Sequence, residues 1–362
     1  MKWQLVILLC LGCTAVCSWL LTWAARKAAP ALGLVDRPKS EGHKNHRQAT
    51  PVAGGVAMWA AWFAAFAAGF AALFCWPSLF TDYQALRDGV VSILPQLGLI
   101  TACATALMFM GMMDDRRPMG AGIKFVFQGA AALLTACFGP RLLVGYLPAW
   151  LSILITFFWI AGVINAFNFF DNMDGLAGGT GAIALIFLLV VAGVREQYFV
   201  SVFTAATLGA VLGFLAHNRP PAKIFMGDSG SHFMGYLIAV ICLLTTFYSW
   251  NAAAAPSPTL APILIPVIIL AVPLLDSVTV ICIRLKLRKP IYVGDNRHLS
   301  HRFAAMGLSR PLSVYLIWLL SFVVGVAGLS LLWLPPVGVF LVIAQILAMM
   351  TVILVMQFST KN

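Results

Sequence analysis

The chain has 362 residues, of which 61% are hydrophobic and 10% are charged, and its mean hydropathy is +0.94. Apolar runs of about 20 residues recur along it, which excludes a soluble domain and predicts a polytopic membrane protein built from helices. The net charge of +11 suits an anionic lipid surface or an anionic substrate and does not require a nucleic acid partner.

The first apolar run, Leu5 to Ala25, follows Lys2 and precedes small residues, as a signal peptide would. It is too long for the apolar part of a signal peptide, and we interpret it as a membrane span. The whole sequence then predicts one all-α domain over 1–362 with eleven spans, at 4–25, 52–76, 90–112, 123–139, 147–164, 176–194, 198–216, 231–249, 260–283, 311–333 and 335–357.

Charge is distributed unequally between the two sides of this predicted bundle. With the C-terminal tail, 19 of the 23 Lys and Arg lie in or beside the loops at 26–51, 113–122, 217–230 and 284–310. The positive-inside rule therefore places the N-terminus outside and the C-terminus in the cytoplasm. Nine of the 12 Asp and Glu and all six His map to the same cytoplasmic side, where we expect the chemistry.

A polar pattern closes the fifth apolar run, where Asn165, Asn168, Asp171 and Asp174 recur at every third position. Each step of three turns back by about 60° around a helix, so one helix face cannot hold all four. The spacing predicts a helix end that opens into a turn near Gly175, with the four side chains around a small cavity. A capped helix end explains any one of them. The full set favours a functional site, because carboxylates at a membrane are costly.

Two more carboxylate groups stand at predicted span ends. Asp114 and Asp115 are adjacent and repel each other unless a hard cation, or Arg116 and Arg117, neutralises them. Asp228 lies between glycines and hydroxyl residues before the eighth run, at a helix start that suits either a phosphate or a simple cap.

Glycines and histidines mark two further stretches. Gly54 and Gly55 would let the backbone approach a ligand or another helix. His298 and His301 each adjoin an arginine and would face one ligand if helical, which suits a diphosphate. A zinc site is the weaker alternative, since no Cys or further His accompanies the pair. The eight cysteines lie in or at the ends of apolar runs and are predicted to be free thiols.

Six motifs in this order resemble the polyprenyl-phosphate N-acetylhexosamine-1-phosphate transferases: Val35 to Pro38 with Pro51 to Gly55, Asp114 to Arg116, Asn165 to Gly175, Phe225 to Ser231, Pro273 to Asp276, and His298 to Arg302. The resemblance implies transfer of N-acetylhexosamine-1-phosphate from a UDP-sugar to undecaprenyl phosphate with release of UMP. It places the protein in the bacterial cytoplasmic membrane, at the first membrane step of cell-envelope polysaccharide synthesis. It is also compatible with a homodimer.

The resemblance also implies residue roles. Asp114, Asp115 and Asp228 would form the catalytic and Mg²⁺ site, with Mn²⁺ as a substitute ion. The stretch with Asn165, Asn168, Asp171 and Asp174 would help bind the nucleotide, and His298, His301 and Arg302 would bind the diphosphate. We expect Asp171 and Asp174 to contact the nucleotide, while the two asparagines hold the turn in shape. Lys124, at the start of the fourth run, is our candidate for binding the lipid phosphate.

The chain departs from the family pattern at two positions. Asn172 stands where the family has Gly in Asp-Gly-x-Asp-Gly, and we expect it to keep the turn in a left-handed backbone conformation. Ser300 replaces a histidine of His-x-His-His, and the chain lacks the three adjacent histidines of the pentapeptide translocases, which favours a simple UDP-N-acetylhexosamine donor over the pentapeptide-bearing donor of peptidoglycan synthesis. A transporter, the rival of another class, would hold its carboxylates near the bilayer midplane. A non-catalytic scaffold would leave their clustering unexplained.

Overall fold

A computed structural model describes residues 3–36, 49–79, 83–142, 147–247, 261–290 and 297–359. The described parts contain thirteen α-helices: α1 Trp3–Ala28, α2 Gly54–Cys75, α3 Tyr83–Arg116, α4 Ala121–Phe138, α5 Ala149–Phe170, α6 Leu176–Val194, α7 Tyr198–Asn218, α8 Gly227–Cys242, α9 Ala261–Ile269, α10 Ala271–Lys286, α11 Leu299–Ala305, α12 Arg310–Ser330 and α13 Pro336–Ser359. A short antiparallel pair, β1 Val35–Asp36 and β2 Thr50–Pro51, joins Val35 to Pro51 and Asp36 to Thr50. The predicted all-α membrane bundle is confirmed.

Ten of the described helices are each long and apolar enough to cross a membrane, and α9 with α10 qualifies as a pair bent by 73°. The predicted span at 260–283 is therefore not one straight helix. Pro266 lies inside α9 and Pro273 lies in the first turn of α10. Because proline lacks the backbone donor, the helical hydrogen-bond ladder cannot run unbroken through this region. Helix α8 begins at the end of the bundle where α11 lies, so the chain must cross back between α8 and α11. The bent pair α9–α10 makes that crossing and brings the total to eleven among the described helices.

Three helices run further than their apolar residues predicted, and one of them, α8, begins at Gly227, so Asp228 lies in its first turn and not in a loop. Helix α3 continues to Arg116, so Asp114 and Asp115 lie in its last turn and not in a loop. Helix α5 continues to Phe170 and includes Asn165 and Asn168. Hydropathy marks only the apolar part of a helix, whereas the backbone stays helical into polar residues whose side chains find partners. Residues 37–48, which hold most of the predicted basic first loop, lie outside the described residues.

Helix α8 lies at the centre of the bundle, where every residue from Ser229 to Cys242 is buried. It packs on α2, α3, α5 and α6. Several polar side chains inside the bundle are paired, as in the hydrogen bond of 2.8 Å between Thr135 and Tyr236 and that of 3.1 Å from Trp62 to Thr207. By contrast, α1 and α13 are mostly exposed and present their apolar side chains to lipid.

Close backbone contacts hold the start of α8 against α2 and α3. The amides of Gly54 and Gly55 donate to the carbonyls of Phe225 and Met226 at 3.1 and 3.0 Å. A Cβ atom on Gly111 of α3 would lie 2.3 Å from the amide nitrogen of Ser229, closer than real Cβ atoms come. The predicted use of the glycine pair in backbone approach is confirmed, and the neighbour is another segment of this chain.

Candidate active site

The predicted site residues gather at one end of the bundle, because successive helices run up and down. At this end α3 ends at Arg116, α4 begins at Ala121, α5 ends at Phe170, α6 begins at Leu176 and α8 begins at Gly227. Carboxylates from three helix ends, α3, α5 and α8, are therefore brought to the same level. The arrangement places them at the membrane edge and away from the midplane that a transporter would use.

Asp114, Lys124 and Asp228 form the central cluster. The Nζ atom of Lys124 lies 2.7 Å from Oδ2 of Asp114 and 2.7 Å from Oδ2 of Asp228. Oδ1 of Asp114 also accepts from the amide of Met119 at 2.7 Å, which shapes the α3–α4 connection. The side chains of the cluster are 12 to 25% exposed, so they are shielded by protein yet accessible to a ligand. Two carboxylates thus converge on a single positive charge.

Asp115 faces the start of α8 and not the cluster. Its Oδ1 atom accepts from the amide of Asp228 at 2.8 Å, and its Oδ2 atom accepts from the amide of Ser229 at 3.1 Å. A carboxylate at a helix N-terminus satisfies free amides and interacts favourably with the helix dipole. The sequence offered two uses for this helix start, a phosphate site or a helix cap. The structure shows a cap, and a residue of another helix, Asp115 of α3, supplies it.

Asn165 and Asn168 reach Asp228 by different routes. Nδ2 of Asn168 donates to Oδ1 of Asp228 and to Oγ of Ser231, both at 3.0 Å. Asn165 donates to Oε1 of Gln128 at 2.8 Å, and Gln128 in turn contacts His232, which bonds to the backbone carbonyl of Asp228. The predicted pair of amides therefore serves the carboxylate site in the structure.

A buried chain of hydrogen bonds continues from Asn165 through Gln128 and His232. Because Oε1 of Gln128 accepts from Asn165, its Nε2 donates to Nε2 of His232 at 2.8 Å. The proton of a neutral His232 then resides on Nδ1, which donates to the backbone carbonyl of Asp228 at 2.7 Å. The network fixes both the amide orientation and the imidazole tautomer.

Sequence reasoning missed His232 and Gln128 as site residues. His232 follows Asp228 by four positions, a spacing that puts both on one face of a helix and was available from the sequence. Gln128 follows Lys124 by the same interval. What the sequence did not show was that these two helix faces meet across the bundle, which requires the relative rotation of α4 and α8.

The predicted turn lies between α5 and α6. Gly175 adopts a left-handed conformation with φ of 71°, and its amide donates to Oδ1 of Asn218 at 3.0 Å. The left-handed backbone expected at Asn172 is wrong, since Asn172 is not among the described residues with positive φ. Its side chain instead donates to the carbonyl of Phe169 at 2.9 Å and closes the end of α5. Asp174 accepts from the amide of Ala222 at 2.9 Å.

Asp171 is the half-buried carboxyl group of this turn. Burial away from water raises its pKa to about 8, and the charges of Asp228, Asp115 and Asp174 act in the same direction. It therefore retains a proton at neutral pH as long as no cation compensates these charges. The carboxyl group of Asp171 is therefore close enough to Asp228 of the central cluster to interact with its charge.

The histidine motif lies at α11 and is fixed from two sides. Nδ1 of His298 lies 2.6 Å from Oδ2 of Asp276 on α10, and Oδ1 of Asp276 accepts from the amide of Leu299 at 2.6 Å. Ser300 donates to Oδ1 of Asn172 at 2.6 Å. His298 precedes the helix in an extended conformation, so the two histidines are not one helical pair as the spacing suggested.

The two remaining predicted residues, His301 and Arg302, are half-buried on α11. Arg302 uses Nε to donate to the carbonyl of Arg297 at 2.9 Å.

The central cluster offers carboxylate oxygens that could bind Mg²⁺. Within the described part of the chain, no three His, Cys, Asp or Glu side chains are grouped so as to enclose a metal ion. Asp114 and Asp228 nevertheless both present an oxygen to the same cationic nitrogen. Mg²⁺ is commonly held by one or two carboxylates together with substrate phosphates. The donor set therefore fits an ion that is completed by substrate, and not one enclosed by protein alone.

Comparisons with known proteins show which family the chain resembles. Residues 97–246 match the family model described as glycosyl transferase family 4. The chain is 31% identical over 346 residues to the "Probable undecaprenyl-phosphate N-acetylglucosaminyl 1-phosphate transferase" of Bacillus subtilis, covering 92% of this chain and 88% of that protein.

Two further relatives are similar over most of their length. A decaprenyl-phosphate N-acetylglucosaminephosphotransferase of Mycobacterium tuberculosis is 32% identical over 89% of this chain and 81% of its own. An undecaprenyl-phosphate alpha-N-acetylglucosaminyl 1-phosphate transferase of Escherichia coli is 28% identical over 83% and 77%. The similarity thus extends far beyond the matched 97–246 segment.

Proposed function

The chain belongs to glycosyl transferase family 4, the polyprenyl-phosphate N-acetylhexosamine-1-phosphate transferases, and we propose that it transfers N-acetylglucosamine-1-phosphate from UDP-N-acetylglucosamine to a polyprenyl phosphate. UMP is the other product. The observation that carries this proposal is the convergence of Asp114, Lys124 and Asp228 at the membrane edge. The names of the three relatives support N-acetylglucosamine as the sugar and a polyprenyl phosphate as the acceptor.

The location suits both substrates. The polyprenyl tail of the acceptor stays in the lipid while its phosphate lies at the interface, at the level of the helix ends. The UDP-sugar arrives from water on the same side. Since UDP-sugars are cytoplasmic metabolites, we place this end of the bundle at the cytoplasmic face of a bacterial inner membrane, in agreement with the positive-inside rule.

The reaction exchanges one phosphoanhydride for another, so the barrier is mainly electrostatic. A phosphate monoester has a second pKa near 6, so the acceptor is mostly dianionic at neutral pH without a strong base. Bringing this dianion to a diphosphate costs about 4 kcal/mol for each pair of like charges at 4 Å and an effective dielectric of 20. Compensating positive charge and in-line positioning are therefore the main tasks of the site.

We assign the parts of this task to residues of the central cluster. Lys124 is the cation between the two carboxylates and binds the acceptor phosphate. Asp114 and Asp228 would hold Mg²⁺, which when bound supplies positive charge to the diphosphate and its leaving group. Asp115 and His232 contact the backbone of Asp228 and orient it.

The donor is assigned to the other two segments. We place the nucleotide at the turn with Asp171 and Asp174, where a carboxylate can accept from the N–H of uracil. We place the diphosphate at His298, His301 and Arg302, whose ring and guanidinium N–H groups can donate to phosphate oxygens. Asn168 keeps the end of α5 next to Asp228, so the turn assigned to the nucleotide adjoins the central cluster.

Purified protein tests the proposal through release of UMP from UDP-N-acetylglucosamine. Release is expected only with both added polyprenyl phosphate and Mg²⁺, with Mn²⁺ as a substitute and loss in EDTA. UDP-N-acetylgalactosamine and the UDP-N-acetylmuramyl-pentapeptide are the comparison donors. Turnover with the pentapeptide donor alone would move the chain to the peptidoglycan branch. UMP release at the same rate with and without added polyprenyl phosphate would overturn the proposed transfer.

A further inference from the structure

Ser300 and Asn172 join two segments of the site that are far apart in the sequence. The hydroxyl of Ser300, which has no exposed surface, donates to Oδ1 of Asn172 at 2.6 Å. The acceptor is itself oriented, because Nδ2 of Asn172 donates to the carbonyl of Phe169 at 2.9 Å. The amide of Asn172 thus connects the end of α5, the turn before α6 and the start of α11.

This contact completes the fixation of α11. Asp276 holds His298 and the amide of Leu299 from the side of α10. Asn172 holds the next residue, Ser300, from the side of the turn. With both contacts present, the start of α11 is tied to two different parts of the bundle within three consecutive residues.

We propose that the Ser300–Asn172 hydrogen bond is a positioning contact that sets the distance between the histidine motif and the turn at 171–175. The inference rests on the proposed function, which puts the diphosphate at the motif and the nucleotide at the turn. Both groups belong to one donor molecule, so an error in this distance weakens both contacts. Asn172 and Ser300 are also the two positions where the chain departs from the family pattern, and here they contact each other.

The consequence is specific to the donor. Removing the hydroxyl of Ser300 leaves His298 on Asp276 and leaves the Asp114–Lys124–Asp228 cluster untouched. The KM for the UDP-sugar should therefore rise about 3- to 10-fold, the equivalent of one buried hydrogen bond, while the KM for the polyprenyl phosphate stays within about 2-fold. A loss of folding would instead lower the amount of active protein and leave both KM values unchanged.

A double-mutant cycle tests the contact itself. Ser300→Ala, Asn172→Ala and the double variant are compared with the wild type in the UMP-release assay, with each substrate varied in turn. Asn172→Ala also loses the bond to Phe169, but the cycle isolates what the two side chains share. Ser300→Cys, which keeps the volume and weakens the donor, is a second variant at the same position. Ser321→Ala is the matched control, since Ser321 is a buried serine whose hydroxyl donates to the carbonyl of Ile317 in its own helix.

The expected result is coupling confined to the donor KM. The double variant should lie within about 2-fold of the more impaired single variant, whereas independent effects would multiply to about 10- to 100-fold. Multiplicative effects, or equal increases in the KM of both substrates, would overturn the inference. An active wild type with an unchanged donor KM in Ser300→Ala would also overturn it while leaving the proposed function intact. A wild type that releases no UMP would instead reject the proposed function.

Discussion

At the scale of single residues, Asp228 is the group on which the other contacts of the site converge. Its carboxylate contacts Lys124 and Asn168, and its backbone contacts Asp115 and His232. Three other helices, α3, α4 and α5, and a residue of its own helix therefore fix the position of Asp228. Such preorganisation is the usual means by which a site stabilises charge that develops in a transition state.

Asp228→Asn keeps the shape of the side chain and removes its charge, and we expect kcat to fall about 100-fold or more. Asp88→Asn, on the exposed first part of α3, is the control and should retain wild-type turnover. The assay is UMP release over a Mg²⁺ titration, on protein shown to be folded by gel filtration. Near wild-type turnover with an unchanged Mg²⁺ requirement would remove Asp228 from the catalytic site.

Asp171 gives a prediction about pH. Its pKa is about 8 in the folded protein, above the ordinary value of 3.8. As pH rises from about 4 to 8, the unfolded chain loses this proton while the folded chain keeps it, so folding becomes less favourable. The loss is complete above the folded-state pKa. In the wild type this carboxyl group therefore destabilises the metal-free protein most at alkaline pH.

Asp171→Asn removes that titration and should raise Tm relative to the wild type by a larger amount at pH 8.5 than at pH 5.5. Thermal unfolding in detergent with EDTA measures both proteins at both values. Asp88→Asn controls for the general effect of losing one negative charge. A difference in Tm that does not change with pH would show that Asp171 is ionised across the whole range.

At the scale of helices, the contact between α3 and the start of α8 decides where Asp228 lies. A methyl group at Gly111 would meet backbone atoms of Asp228 and Ser229 at 2.4 and 2.3 Å. Backbone atoms cannot rotate away as a side chain does, so one helix has to shift. Such overpacking costs about 1–3 kcal/mol.

Gly111→Ala should therefore lower Tm by several degrees and reduce UMP release at least 10-fold, since α8 carries Asp228. Gly98→Ala is a matched control on the same helix, because a methyl group there meets no atom within 4 Å. Its Tm and activity should equal those of the wild type. Equal Tm and equal UMP release in the two variants would show that α3 and α8 can move apart at this contact without disturbing the site.

The helices also show what the sequence could predict. Apolar runs located the spans, because membrane thickness fixes their length, while the bent pair α9–α10, the earlier start of α8 and the longer ends of α3 and α5 differed. Those differences depend on partners: Asp114 and Asn168 stay helical because Lys124 and Asp228 receive their side chains. Spacing and charge indicated the candidate site residues, and the family resemblance supplied their roles. Gln128 and His232 were missed because one sequence does not show which helix faces meet.

At the scale of the whole molecule, the alternation of helices explains why distant residues share one site. An odd number of crossings separates the two termini, so α1 begins at the end of the bundle opposite the site, and α13 returns to the site end. The turn between α6 and α7, at Arg195 and Glu196, lies at the opposite end. The fold thus puts the site and the C-terminus on the same side of the membrane.

This relation makes the orientation testable without touching the site. Because 19 of the 23 Lys and Arg lie on the site side, that side and the C-terminus should be cytoplasmic. Green fluorescent protein fused after Asn362 should fluoresce, and alkaline phosphatase at the same place should be inactive. Alkaline phosphatase fused after Glu196 should be active, since that turn faces the other compartment. Active phosphatase at the C-terminus would show that the bundle has the opposite orientation, in which the site does not face the cytoplasmic UDP-sugar.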